Sequence, residues 1–215
     1  MSGHPASHVY DGLVELGQVS PDKNQRAVLA ELDRLADQLQ SRKYWSGGRK
    51  GLFRRQSWER PVQGLYIWGG VGRGKTFLMD LFVDSLPKDT AIRLHFHRFM
   101  NQVHARLTAL QGTENPLEVI ADELARKAKV LCFDECFVSD ITDAMVLGTL
   151  FDALFRRGVS LVTTSNIEPE NLYKDGLQRD RFLPAIALIQ EHCQVFNLDS
   201  GTDYRLRTLE HANLY

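Results

Sequence analysis

From residue 64 onward, short apolar runs alternate with stretches whose apolar positions recur at helical spacing. Residues 65–68 form the first run and predict a strand. Phe77, Leu78, Leu81 and Phe82 then predict a helix over 75–84. Residues 91–96 predict a second strand, and Phe99, Val103, Leu107 and Leu110 share one face of a second helix. Residues 130–133 are a third strand. Ser139 is placed to cap the next helix, which carries Ile141, Met145, Leu150, Leu154 and Phe155 and ends near Gly158. Residues 159–163 and 194–198 predict a fourth and a fifth strand, with a helix over 182–189 between them. Strands apolar on both faces, separated by helices, predict an α/β fold: a parallel sheet covered on both sides.

Ahead of this core, residues 1–24 read as irregular, punctuated by Gly12, Gly17 and Pro21. Val28, Leu32, Leu35 and Leu39 predict an amphipathic helix beginning at Gln25. The stretch 41–60 mixes Arg42, Lys43, Arg49, Lys50, Arg54 and Arg55 with Tyr44, Trp45, Phe53 and Trp58, and Gly47-Gly48 breaks it. It reads as a solvated loop; stacking on nucleic acid is the alternative. The division expected is a helical lead-in over 1–60, a nucleotide-binding core over 61–202, and the beginning of a further region over 203–215.

Composition adds limits. The 215 residues carry a net charge of −1, with 43% hydrophobic and 25% charged positions, an ordinary globular balance. Nothing in that balance drives the whole chain toward nucleic acid or an anionic membrane. No apolar run reaches the roughly 20 residues that span a bilayer. Cys132, Cys136 and Cys193 form no disulfide framework, Cys132 lies within an apolar run, and a reducing cytoplasm is the expected setting.

The chemistry begins at Gly69-Gly70-Val71-Gly72-Arg73-Gly74-Lys75-Thr76, a Gly-x4-Gly-Lys-Thr P-loop, or Walker A, pattern between a strand and a helix. Glycines let successive backbone N–H groups converge on phosphate oxygens. Lys75 reaches the β- and γ-phosphates of ATP, and the Thr76 hydroxyl is a ligand for Mg²⁺. The third strand ends in Asp134-Glu135, far enough downstream for a helix, a strand and a second helix to intervene. Its strand can therefore lie beside the P-loop strand or one place away. Asp134 is the candidate for the Mg²⁺ shell, and Glu135 for orienting and polarising the attacking water.

Asn166, just past the fourth strand, is placed to sit beside the γ-phosphate, although Asn-Ile-Glu-Pro also reads as a turn. Arg179 and Arg181 are candidates for an arginine reaching a neighbouring subunit's γ-phosphate. Spacing does not choose between them, and pairing with Asp180 or Asp175 is the plainer reading. His95 and His97 flank Phe96 on the expected strand and would share one face, with His104 nearby. No ligand spacing completes a metal site around them.

Leu94-His-Phe-His-Arg-Phe-Met100, Leu131-Cys-Phe-Asp-Glu135, Val138-Ser-Asp-Ile-Thr-Asp-Ala-Met145, the run from Leu172 to Pro184 and Asp203-Tyr-Arg-Leu206 go beyond a generic P-loop protein. With these runs, and with Asp22-x-x-Gln25 ahead of the first amphipathic helix, the chain resembles the ZapE-type cell-division ATPases and their mitochondrial relatives, a branch of the AAA+ superfamily. The resemblance implies a three-layer P-loop NTPase with five parallel strands in the order 5-1-4-3-2. It implies an ATPase that assembles as an ATP-dependent homo-oligomer and acts on a tubulin-like division-ring protein, in the cytoplasm at the division site or the inner face of the membrane. Cys136 replaces the family's Phe and leaves both acids in place. The family continues into a C-terminal helical lid, whereas this chain stops at Tyr215; the expectation is a core whose hydrolysis and assembly depend on a longer parent. A nucleotide-gated loader with little turnover is the competing reading. A small-molecule kinase ranks third, since adjacent Asp-Glu suits attack by water.

Overall fold

The computed structural model describes residues 4–41 and 60–199. Most of the basic-aromatic stretch, residues 42–59, lies outside the described residues, as does 203–215. The strands β1 (Gly64–Trp68), β2 (Ala91–His95), β3 (Val130–Asp134), β4 (Ser160–Ser165) and β5 (Cys193–Asn197) form one parallel sheet in the order β2-β3-β4-β1-β5. This is the order 5-1-4-3-2 read from the other edge. It places β3 two positions from β1, with β4 between, and so settles the alternative that spacing leaves open.

Alternation along the strands divides the core in two. Leu65, Ile67, Val130, Cys132 and Val162 face one side. There they meet α1 (Ala6–Glu15), α2 (Lys23–Ser41) and α3 (Lys75–Ser85), through Tyr10, Leu29, Leu32, Leu78 and Phe82. Tyr66, Leu131, Phe133 and Leu161 face the other side. They meet α4 (Phe96–Ala109), α5 (Pro116–Ala125), α6 (Ile141–Arg156) and α7 (Leu183–His192). With helices on both faces, the central strands β1, β3 and β4 are buried almost throughout rather than alternating.

Four local readings change. Residues 6–15 are helical, not irregular: α1 buries only Ala6 and Tyr10, too few contacts to stamp a periodicity on the sequence. The Tyr10 hydroxyl ties α1 to the turn ahead of α2, accepting from Asp22 N–H at 3.0 Å and donating to Ser20 O at 3.3 Å. Helix α5 begins with Pro116 at its first position, after Asn115 at φ 50°; proline there loses no helical hydrogen bond. The cap of α6 is Asp140 rather than Ser139, its carboxylate accepting from Thr142 N–H at 2.6 Å. Finally, β2 stops at His95. His97 lies in the first turn of α4, so the two imidazoles do not share a sheet face. His104 pairs instead with Asp143 of α6 at 2.6 Å.

Candidate nucleotide site

All five parallel strands end on the same edge, and loops leaving that edge carry the chemistry. The P-loop joins β1 to α3. Gly69, Gly72 and Gly74 take φ values of 147°, 80° and 82°, which a side chain would resist. Gly74 lies directly before the first turn of α3, so that helix opens on Lys75 and Thr76 with N–H groups that have no partner within the helix. The Lys75 ammonium folds over the loop, donating to Gly69 O at 2.6 Å and Gly70 O at 2.7 Å. Burial lowers its pKa, and the Asp199 and Glu135 carboxylates act in the opposite direction. Glu135 thus lies within electrostatic reach of Lys75 despite being 60 positions away by number, because β4 alone separates their strands.

Asp134 and Glu135 are adjacent but differ in setting. Asp134 is 5% exposed, and Glu135 is exposed. Glu135 has φ 56°, in the left-handed region. A non-glycine residue there costs of order 1–3 kcal/mol and persists only when its surroundings hold it. They do so through β4: Glu135 N–H donates to Thr164 Oγ1 at 3.1 Å, and Cys136 N–H to Thr164 O at 2.7 Å. The lattice continues sideways. Ser165 Oγ donates to Cys136 O at 2.8 Å, and the Tyr66 hydroxyl donates to Ile167 O at 2.7 Å. Burial pushes the Tyr66 phenol well above its ordinary range, so it remains a donor. The end of β3 is therefore tied by hydrogen bonds to β4, and the segment leaving β4 is tied in turn to the middle of β1.

Asn166 follows the buried Ser165 and is exposed on the same edge. Arg179 and Arg181 occupy a short 3₁₀ turn, Arg179–Arg181, ahead of α7, and their surroundings differ. Arg179 is half-buried and donates to Glu170 O at 2.5 Å. Arg181 is exposed, with its guanidinium 3.8 Å from the Met145 sulfur.

Several residues that sequence reasoning does not bring forward converge here. Arg93, on β2, binds Asp134 through Nε at 2.8 Å and also binds Asp80 of α3. Asp199, just after β5, accepts from Gly70 N–H at 2.6 Å and from Arg73 Nε at 2.5 Å. Those bonds hold its carboxyl below the usual range, Arg73 contributing most. Gln25, noted for its spacing from Asp22 and as the expected start of a helix, donates to Arg73 O at 3.0 Å, which docks the start of α2 on the P-loop. A charged residue within an apolar strand is the one signal that could have found Arg93, because buried charges are paired. Asp199 carries no such signal; its place depends on β5 lying beside β1.

The residues fit the groups that the pattern implies. A loop of positive-φ glycines opening onto a helix N-terminus, with a lysine folded over it, matches a nucleotide's phosphate chain. Among the described residues no three His, Cys, Asp or Glu side chains cluster as a metal cage. A hard cation held by one hydroxyl, one carboxylate, phosphate oxygens and water is the arrangement Mg²⁺ favours, and the Thr76 hydroxyl and Asp134 carboxylate are of the chemistry that would supply the protein's share.

Comparison with known proteins agrees with this geometry. A model of the AFG1-like ATPase family matches residues 6–215. The cell division protein ZapE of Escherichia coli K12 is 53% identical over 220 residues, covering 98% of this chain. The chain spans 58% of that relative's length. Among solved structures, DnaI superposes with a TM-score of 0.55 at 16% identity, covering 85% of this chain and 89% of that one. AMPPCP-bound DnaA from Aquifex aeolicus gives 0.55 at 15% identity, covering 93% and 56%. At such identities these structures speak to the fold alone, a P-loop NTPase sheet flanked by helices. By the extent of the family match and the identity to ZapE, the chain belongs to the AFG1-like ATPase family.

Proposed function

We propose that this chain is the nucleotide-binding core of a Mg²⁺-dependent ATP hydrolase, and that turnover is coupled to remodelling a partner protein in cell division. The observation that carries the reading is Glu135. An exposed carboxylate is held in a costly left-handed backbone conformation by Thr164, within electrostatic reach of the P-loop lysine. Strain maintained at one residue on the functional edge is characteristic of a positioned catalytic group.

In this reading the P-loop N–H groups and Lys75 bind and neutralise the β- and γ-phosphates. Thr76 and Asp134 hold Mg²⁺, which when bound neutralises charge on the phosphate oxygens. Glu135 orients a water and accepts its proton. Asn166 lies on the same edge and positions that water. Arg181, exposed where Arg179 is tied to a carbonyl, reaches the site of a neighbouring copy in an ATP-dependent homo-oligomer. The E. coli relative's name supports a division-site role. The partner proposed is the tubulin-like division-ring protein. Among the described residues no helix is long and apolar enough to cross a membrane, and peripheral contact with its inner face is part of the proposal.

Glu135→Gln tests the assignment. Phosphate release is expected to fall at least ~100-fold, the lower range for loss of a general base. Binding of a fluorescent ATP analogue should stay within about threefold, because Glu135 does not form the cradle. Equal turnover in both proteins would refute the role of Glu135; tight binding with negligible turnover in the wild type would favour the loader reading.

A further inference from the structure

We infer that Arg93 is a positioning residue for the metal side of this site: it neutralises and orients Asp134 and ties it to the helix that carries Thr76. The inference rests on the proposed role of Asp134.

Arg93 is opposite Cys132 in the β2–β3 register, so Asp134 lies two residues further along the neighbouring strand, on the same face. That face meets α3, since Cys132 packs in the cluster with Leu78, Met79 and Phe82. The guanidinium uses both its edges. Nε and Nη2 reach the two Asp134 oxygens at 2.8 and 3.4 Å, while Nη1 binds Asp80. Asp80 is four residues after Thr76 on α3, one turn along the same helix face. One planar cation therefore joins the strand that ends in one proposed Mg²⁺ ligand to the helix that carries the other. A lysine has the charge but not the rigid fork needed to span two carboxylates.

Charge adds a second function. Without Arg93, a nearly buried aspartate and a half-exposed one would face each other unneutralised. Two bare carboxylates attract a divalent cation more strongly, and a carboxylate freed from its fork is no longer fixed in direction. Arg93 trades metal affinity for metal placement. Its removal should produce opposite changes in two measurements, a signature that loss of general structural support does not give.

The experiment uses Mn²⁺, followed by electron paramagnetic resonance of the free ion, with the protein bound to a non-hydrolysable ATP analogue; phosphate release with Mg-ATP is measured in parallel. For Arg93→Gln, Mn²⁺ affinity should rise about tenfold, a conservative figure for removing one unit charge a few ångströms from a cation. Turnover should fall at least tenfold. Arg93→Lys should keep Mn²⁺ affinity within about twofold of wild type and recover turnover only in part. Asp80→Asn removes one anion and keeps the fork on Asp134, so Mn²⁺ should weaken about threefold. This last change falls on a side chain 51% exposed and keeps the test available if Arg93→Gln does not fold. Parallel losses of Mn²⁺ affinity and turnover in Arg93→Gln, or unchanged Mn²⁺ affinity in both Arg93→Gln and Asp80→Asn, would overturn the inference. Absence of nucleotide-dependent Mn²⁺ binding in the wild type would instead overturn the reading of Asp134, and this inference with it.

Discussion

Thr164→Val removes one oxygen and almost no volume, at a residue 2% exposed. The hydroxyl accepts from Glu135 N–H at 3.1 Å, while the Thr164 carbonyl separately accepts from Cys136 N–H at 2.7 Å. Valine keeps the second bond and loses the first. An orphaned donor costs about 1–3 kcal/mol when fully buried; beside an exposed glutamate, water recovers part of that, leaving about 1 kcal/mol. The φ of 56° at Glu135 then works against the remaining bond, because returning to an ordinary backbone region releases a comparable energy. The expected result is a fall in Tm of about 2–4 °C for a chain of this size. If Glu135 is the general base proposed above, turnover should fall about 10- to 100-fold, since a displaced base forfeits much of its contribution. Nucleotide affinity should hold, as the hydroxyl removed bonds to Glu135 N–H and the backbone pairing of Thr164 with Ile67 is kept. Phosphate release, calorimetry and analogue binding measured together provide the check. Thr164→Ser, which keeps the hydroxyl, should restore most of the turnover. A valine variant with wild-type turnover, or a serine variant as slow as valine, would refute the claim that this hydroxyl holds Glu135.

Other consequences can be checked independently. Gly74→Ala places a methyl 2.7 Å from Gln25 Nε2 at a φ of 82°, and should weaken nucleotide binding at least about tenfold by distorting the loop; unchanged affinity would show that the loop tolerates a side chain. Asp199→Asn removes a carboxylate from Gly70 N–H and Arg73, and should tighten ATP-analogue binding about threefold, less at high salt; weaker binding would mean that the carboxylate supports the loop instead. His192 stacks on Phe155 at 4.2 Å, and burial lowers its pKa against the opposing pull of Glu191 and Asp152. As pH falls through about 6.5 the unfolded chain takes up this proton first, so stability falls with pH in that window. His192→Phe should therefore lose less Tm than wild type between about pH 7.5 and 5.5; equal losses would exclude His192 as a contributor.

The strands are legible because burial on both faces keeps their runs mostly apolar, as in residues 130–133. The Gly69–Thr76 run is legible because phosphate binding dictates residue types at fixed local spacing. What stays hidden is non-local. Arg93 acquires meaning only from its register with β3, Thr164 only from its reach to Glu135, and Asp199 only when β5 lies beside β1. Helix α1 escapes because its support comes from Tyr10 bonding to the turn before α2, and its own sequence shows little of this. Pro116 after Asn115 was the available sign of α5. His95 and His97 mislead because a strand-to-helix turn without glycine or proline separates them.

The three free thiols turn the fold into a chemical stopwatch. Cys132 lies on one side of the sheet, Cys136 and Cys193 on the other, all at most 3% exposed. Burial pushes the Cys136 thiol up to about 12 and holds the others high as well, so at neutral pH a water-soluble disulfide reagent finds almost no thiolate in the closed protein. Labelling proceeds through openings, and its rate reports how often each layer parts. Because Cys136 is adjacent to Glu135, its clock runs on the movement of the tip of β3. The other two run on separation of the sheet from its helices. Comparing the three rates with and without nucleotide would time the tip separately from the body of the protein.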